Sequence, residues 1–317
     1  ENKIILFYLL IINCFFNIVY CETKQPIFKC IYNDYEEKHP LSYVAIKNDG
    51  TEKIKRRTDS SGFQDFNIYL DLENIKNDIK NNGLEKNMNF FISSMEKAVN
   101  VLQTLLKVKP LEKESGYYIT DADLQSLKIT KWDKTKFGDE AKNKYNSFQK
   151  QNIDLAIFGM LVELPNSTLA TASANVFQES NHQPFLGTVK INKYIDLSKP
   201  NSQVYFESIL IHEFTHILGF TKTFFNDTYK NIFYETDKYG IERAYLNSPK
   251  LLSVARKYFN CDDLKGVELE NQGGEGTAGS HWETRILLGE YMNGYSYTEE
   301  QVISEFTLAL LEDSGFY

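Results

Sequence analysis

The sequence predicts an α+β domain, on three observations. The segment Phe66 to Leu72, FNIYLDL, alternates so that Phe66, Ile68, Leu70 and Leu72 share one side, which is the period of a half-buried strand. Farther on, Phe91, Met95, Ala98, Leu102 and Leu105 recur every three or four residues and so line one stripe of a helix. After a break at Pro200, Phe206, Ile209, Leu210 and Ile217 resume helical spacing and predict a helix from about Gln203 to Leu218.

Taken in chain order, the first element is an apolar run. Lys3 precedes Ile4 to Tyr20, and Val19 and Cys21 are small enough for a cleavage site before Glu22, so residues 1–21 read as a secretory signal. The alternative is a retained anchor, but a run of 17 residues interrupted by Asn13 and Asn17 is short and polar for a stable span. The chain opens on Glu1 where an initiator Met is expected, and its start is read as incomplete or altered. Residues 22–61 are polar and turn-rich, with a basic cluster from Lys53 to Arg57, and read as a pro-segment; the folded domain is expected over 62–317. Two more strands are expected in IDLAIFGML from Ile153 and FLGTVKI from Phe185. The Gly-rich stretch NQGGEGTAGS before His281 reads as a loop. The last helix is expected to open with the capping pattern Thr298-x-x-Gln301, to bury Val302, Phe306, Ala309 and Leu310, and to stop at Gly315.

Of the 317 residues, 42% are hydrophobic and 14% aromatic, enough to fill a substantial core and to exclude a disordered protein. The net charge of −8 comes from acids and bases interspersed along the chain, so no basic stripe marks nucleic acid as a partner. Cys14 and Cys21 fall in the signal, and Cys30 and Cys261 alone remain, which excludes a disulfide-rich scaffold. Glycosylation sequons at Asn166 and Asn226 fit a secretory route and an extracellular or cell-surface location.

The chemistry concentrates in IHEFTHILGF, residues 211–220. His212 and His216 are four apart on a helix and project from one face, as two imidazole ligands of one zinc ion would. Glu213 is too close in sequence to share that coordination shell comfortably, yet is well placed to act as general base on a water. The structural alternative, an exposed polar face, fits poorly with the apolar turn Ile209 to Ile211 that draws these histidines inward, where imidazoles need partners. A catalytic zinc also needs a third protein ligand. Gly219 lies three residues past His216, where a positive φ lets the chain leave the helix and return across the metal. Three residues further stands Lys222, so a closely spaced third histidine is ruled out. His182 and His281 are the remaining candidates, and His281, at the end of the Gly-rich loop, is the better one. Eleven residues beyond it, Met292 falls in a turn-like Met-Asn-Gly and can form an apolar floor under the ligands, the other reading being ordinary core packing.

HEFTHILGF, ARKYFNCDDLKGVELENQGGEGTAGSHWETR, Glu290-Tyr-Met-Asn-Gly294 and TLALLEDSGFY together resemble the catalytic domain of the leishmanolysin type of metzincin, over about residues 66 to 317. The resemblance implies a metzincin fold, with a mixed twisted sheet, an active-site helix, a C-terminal helix, and subdomains meeting near residue 220. It implies zinc on His212, His216 and His281, Glu213 as catalyst, Met292 in the Met-turn, and broad endopeptidase action on extended polypeptides. On the same analogy the substrate is expected along a sheet edge formed by FLGTVKI. KCIYND resembles a pro-segment motif in which a cysteine thiolate fills the open zinc position; here Lys29 and Tyr32 stand where the family has histidines, and the alternatives are that Cys30 pairs with Cys261 or remains free. Relatives also continue into a Cys-rich region, whereas this chain stops at Tyr317, and it is read as a fragment or a trimmed chain.

Two other functions stay open on sequence. Glu235 follows His216 at the spacing of the glutamate ligand of zinc aminopeptidases, although no Gly-x-Met-Glu-Asn motif accompanies it. A surface adhesion protein that retains a metal site without activity is the second.

Overall fold

The computed structural model describes residues 28–29, 58–111, 153–165, 168–178, 181–196, 202–272, 277–296 and 301–317. The expected signal, most of the expected pro-segment, Cys30, Asn166 and Thr298 lie outside the described residues.

Phe28–Lys29 form a short strand, β1, and Gln64–Asp65 form β2, which pairs with β4 (Lys107–Val108). The alternating segment forms β3 (Ile68–Asp71), in register with β5 (Leu155–Val162) from Ile68 opposite Leu155. Helix α1 (Glu73–Asn81) follows at once and was not apparent in the sequence, because its nine residues carry only Ile75 and Ile79 as apolar anchors one turn apart. Helix α2 (Met88–Leu105) buries Phe91, Met95, Ala98 and Leu102 as its spacing predicts. Leu105 departs from that stripe and is 46% exposed; the chain turns extended at Leu106, and Leu106 is buried in its place.

The main sheet has the order β3-β5-β7-β6, where β6 is Ala170–Phe177 and β7 is Pro184–Asn192. β3, β5 and β7 run parallel, and β6 lies antiparallel against β7 at the edge. The near-continuous burial of β5 and β7 is what parallel strands need when both faces are covered. Helix α3 (Ser202–Ile217) packs on β6 and β7, and α2 packs on α3. The expected edge role of FLGTVKI is therefore corrected: β7 is an interior strand, and β6 forms the edge. Its first six residues, ATASAN, hold a single branched side chain and no aromatic, and so do not announce a strand. Small side chains at Ala170, Ala172 and Ala174, all buried, let α3 lie close against it.

A second apolar cluster gathers Phe220, Phe225, Leu246, Leu251, Val267, Trp282, Tyr291, Met292, Phe306 and Leu310. Half of it comes from β9 (Glu242–Leu246), which pairs with β8 (Ile232–Thr236), and from helix α4 (Pro249–Phe259), β10 (Val267–Glu268) and helix α5 (Glu305–Asp313); Phe220, Phe225, Trp282, Tyr291 and Met292 lie outside these elements. α4 starts with Pro249 at its first turn, and the Asp313 carboxylate of α5 accepts the N–H groups of Lys250 and Leu251 at 2.9 and 3.0 Å. The C-terminal helix begins later than the pattern at Thr298 predicts. Val302 exchanges backbone bonds with Gly289 and Tyr291, which holds it extended, so Ser304 sits at the helix start and Val302 is 63% exposed. Phe306, Ala309 and Leu310 are buried as expected. Strand β11 (Tyr295–Ser296) pairs antiparallel with β1, Phe28 opposite Ser296. No described helix is long and apolar enough to cross a membrane.

Candidate functional site

α3 is amphipathic at its start and buried all round at its end, where His212, Glu213, Phe214, Thr215, His216 and Ile217 are all enclosed. The helix thus carries three ionisable side chains into the interior, and each has a specific answer to burial. His212 donates its Nδ1–H to the Tyr291 carbonyl at 2.6 Å. His216 donates to the Phe220 carbonyl at 2.7 Å, and His281 to the Thr277 carbonyl at 2.8 Å. A carbonyl only accepts, so all three rings carry their proton on Nδ1, which makes Nε2 the lone-pair nitrogen of each. Burial drives the His212 pKa down to about 4 and that of His281 to about 3; burial and the neighbouring rings hold His216 well below its usual value. The three stay neutral, which is the ligand form of imidazole.

The sequence turns that bring these rings together are legible at two glycines. Gly219 has φ +108, and a Cβ there would fall 2.6 Å from the Tyr229 hydroxyl oxygen, so the chain leaves the helix in a conformation and a space that only glycine accepts. It delivers the Phe220 carbonyl to His216 directly afterwards. Gly294, just past Met292, lets the turn close on the third ring: a Cβ there would meet Thr277 at 2.0 Å and the His281 ring at 3.3 Å.

The ring centroids form a nearly equilateral triangle, with 4.8 Å between His212 and His216, 5.2 Å between His212 and His281, and 5.0 Å between His216 and His281. One ligand atom from each of the three lies within 4.8 Å of the others. The Nε2 atoms of His212 and His216 stand 3.2 Å apart. With both protons on Nδ1 this is no hydrogen bond but two lone pairs facing each other, an arrangement that costs energy unless a cation lies between them. The spacing agrees with the ~3.3 Å between two nitrogens that each sit ~2.0–2.1 Å from a tetrahedral zinc. His281 Nε2 is buried with no hydrogen-bond partner among the described residues. Three neutral imidazoles and no sulfur ligand among them fit zinc or a similar transition metal.

Glu213 is fully buried beside this triangle, and its Oε2 accepts the backbone N–H of Ala172 on β6 at 2.9 Å. The carboxylate one residue after His212 is thus tied to the edge strand. Met292 is wholly buried in the second cluster, and its carbonyl accepts the N–H of Trp282, the residue after His281. The Met292 turn therefore bonds the His212 ring through the Tyr291 carbonyl and holds the backbone next to His281 through Trp282.

Other candidates lie elsewhere. Glu235, on β8, has a side chain 51% exposed and pairs with Lys265 at 3.4 Å; it is not part of the histidine cluster. His182 sits with φ +62 and its Nδ1 3.4 Å from Thr228 Oγ1, also outside the cluster. Cys261 is exposed and free among the described residues. Sequence reasoning missed the Ala172 amide and the Tyr291, Phe220 and Thr277 carbonyls; these are backbone groups, and the side chains at those positions carry no signal of the role.

The family profile described as Leishmanolysin matches residues 89–317. Among curated proteins, a leishmanolysin-like peptidase of Drosophila pseudoobscura pseudoobscura is 56% identical over 70 residues, 22% of this chain and 10% of the relative. A leishmanolysin homolog of Crithidia fasciculata is 33% identical over 168 residues, 52% of this chain and 25% of the relative. Leishmanolysin of Leishmania chagasi is 28% identical over 204 residues, 59% of this chain and 32% of the relative. The chain thus spans about a third or less of the length of these relatives. The profile match runs from the start of α2 to the last residue and takes in all three histidines, and the chain belongs to the leishmanolysin peptidase family, a family of zinc metalloproteases.

Proposed function

We propose that this chain is a zinc-dependent endopeptidase in which His212, His216 and His281 hold the metal and Glu213 is the general base. The observation that carries this reading is the convergence of three neutral, buried Nε2 atoms next to a buried carboxylate on the same helix. Zinc, when bound there, lowers the pKa of a coordinated water toward neutrality and polarises the scissile carbonyl. Glu213 takes the proton of the attacking water on its carboxylate and returns it to the leaving amine. Its bond to Ala172 fixes the carboxylate beside the edge of the sheet. An extended polypeptide substrate adds to β6, whose outward N–H and C=O groups are the ladder that such a segment needs. A casein digest with and without a chelator, followed by zinc readdition, tests this: hydrolysis that stops on chelation and returns with zinc is expected, and hydrolysis indifferent to chelation contradicts it.

The protein is made for the secretory route, on the strength of the apolar run at residues 4–20, and is latent as made. Support for latency comes from the pairing of β1 with β11, which brings the backbone immediately before Cys30 against a strand that begins three residues after Met292. On this reading the Cys30 thiolate would be the further ligand that keeps the metal from water. Cys30→Ala is expected to make the secreted precursor active before any cleavage. A precursor that stays as inactive as the parent, or a mapped Cys30–Cys261 disulfide, counts against the switch.

A further inference from the structure

Glu290 is 4% exposed and fully enclosed, yet no lysine or arginine is bonded to its carboxylate among the described residues. Its Oε2 accepts the backbone N–H of Met292 at 2.5 Å, and its Oε1 accepts the hydroxyls of Ser304 at 2.9 Å and Thr307 at 2.6 Å. Thr307 Oγ1 in turn accepts the indole N–H of Trp282, the neighbour of His281, at 2.9 Å. Between Glu290 and Met292 lies Tyr291, whose carbonyl takes the Nδ1–H of His212 and whose hydroxyl is 3.1 Å from Thr215 Oγ1, on the helix of the first two ligands. A buried carboxylate without a cation is costly, and an apolar residue of similar volume would fill the same space at lower cost. What the carboxylate adds is direction: strong acceptor bonds converging from a turn and from a helix.

We infer that Glu290 is a positioning residue for the metal centre, locking the Met292 turn to the start of α5 so that the Tyr291 carbonyl and the Trp282–His281 segment hold their rings in the metal-binding orientation. The inference rests on the reading of the histidine cluster as a zinc site. Partners that orient a ligating histidine through its second nitrogen typically contribute ~10–100-fold to metal affinity, and Glu290 fixes such a partner for His212.

The test is zinc affinity by chelator competition, together with melting curves of the metal-free proteins. Glu290→Ala is expected to weaken zinc binding by ~10-fold or more in protein that is still folded at the temperature used. Glu290→Gln keeps the length and an acceptor for the Met292 N–H, and is expected to restore affinity close to that of the parent. Where Glu290→Ala fails to fold, Glu290→Asp carries the test; it keeps the charge but cannot span Met292 and Thr307 together, and the same loss is expected. Lower melting temperatures with parental zinc affinity in the Ala and Asp variants would mean a purely structural role and overturn the proposal. A parent chain that takes up no zinc overturns the zinc reading itself, and this inference with it.

Discussion

Glu213→Ala is expected to keep about one zinc per chain while peptidase activity falls by at least ~10²–10⁴-fold, the usual contribution of a positioned general base. The three imidazoles take their orientation from the Tyr291, Phe220 and Thr277 carbonyls, none of which involves Glu213, so the metal site survives the change. The Ala172 N–H loses its acceptor, which costs roughly 1–3 kcal/mol of stability for a buried donor. Glu213→Gln separates the two effects: the amide oxygen can still accept from Ala172 but cannot take a proton from water. It should be as inactive as the alanine variant and melt closer to the parent. Substantial hydrolysis by a pure sample of either variant would remove Glu213 from the mechanism.

His281→Ala should release most of the zinc and abolish activity. Spread over four ligands, the ~10–16 kcal/mol of a structural zinc site is ~3 kcal/mol each, or roughly a hundredfold in affinity for one lost ring. Glu235→Ala should be nearly silent, because Glu235 makes an exposed pair with Lys265 and such pairs contribute little. The contrast decides between two families of zinc peptidase. Metal content and casein hydrolysis measured on both variants check it, and zinc lost from Glu235→Ala but kept by His281→Ala would reverse the assignment of the third ligand.

How much of this was legible in the sequence depended on whether side chains carried it. The helix of His212 and His216 announces itself by apolar spacing and ends one residue before the expected Leu218. His281 could be chosen because few histidines exist and one of them follows a Gly-rich loop. The strand that flanks Glu213 could not, because its first five residues are only alanine, threonine and serine, small enough for α3 to lie close but weak as a strand signal. The expectation that FLGTVKI forms the edge came from family analogy, and β6 stands outside it. The C-terminal helix start was misplaced for a different reason: the capping pattern at Thr298 is a local signal, and Val302 is claimed instead by backbone bonds to Gly289 and Tyr291, partners distant enough in sequence to leave no local trace. Glu290 is given no role of its own by the sequence; its enclosure appears only where α5 and the Met292 turn close around it.

The central claim is that three imidazoles and one further light ligand hold a zinc ion beside Glu213. X-ray absorption at the zinc edge of the Cys30→Ala protein measures this directly. The expected spectrum has three nitrogen neighbours from histidine rings and one oxygen, all at ~2.0–2.1 Å. A sulfur neighbour at ~2.3 Å in that protein, or a shell with only two histidine rings, would contradict it.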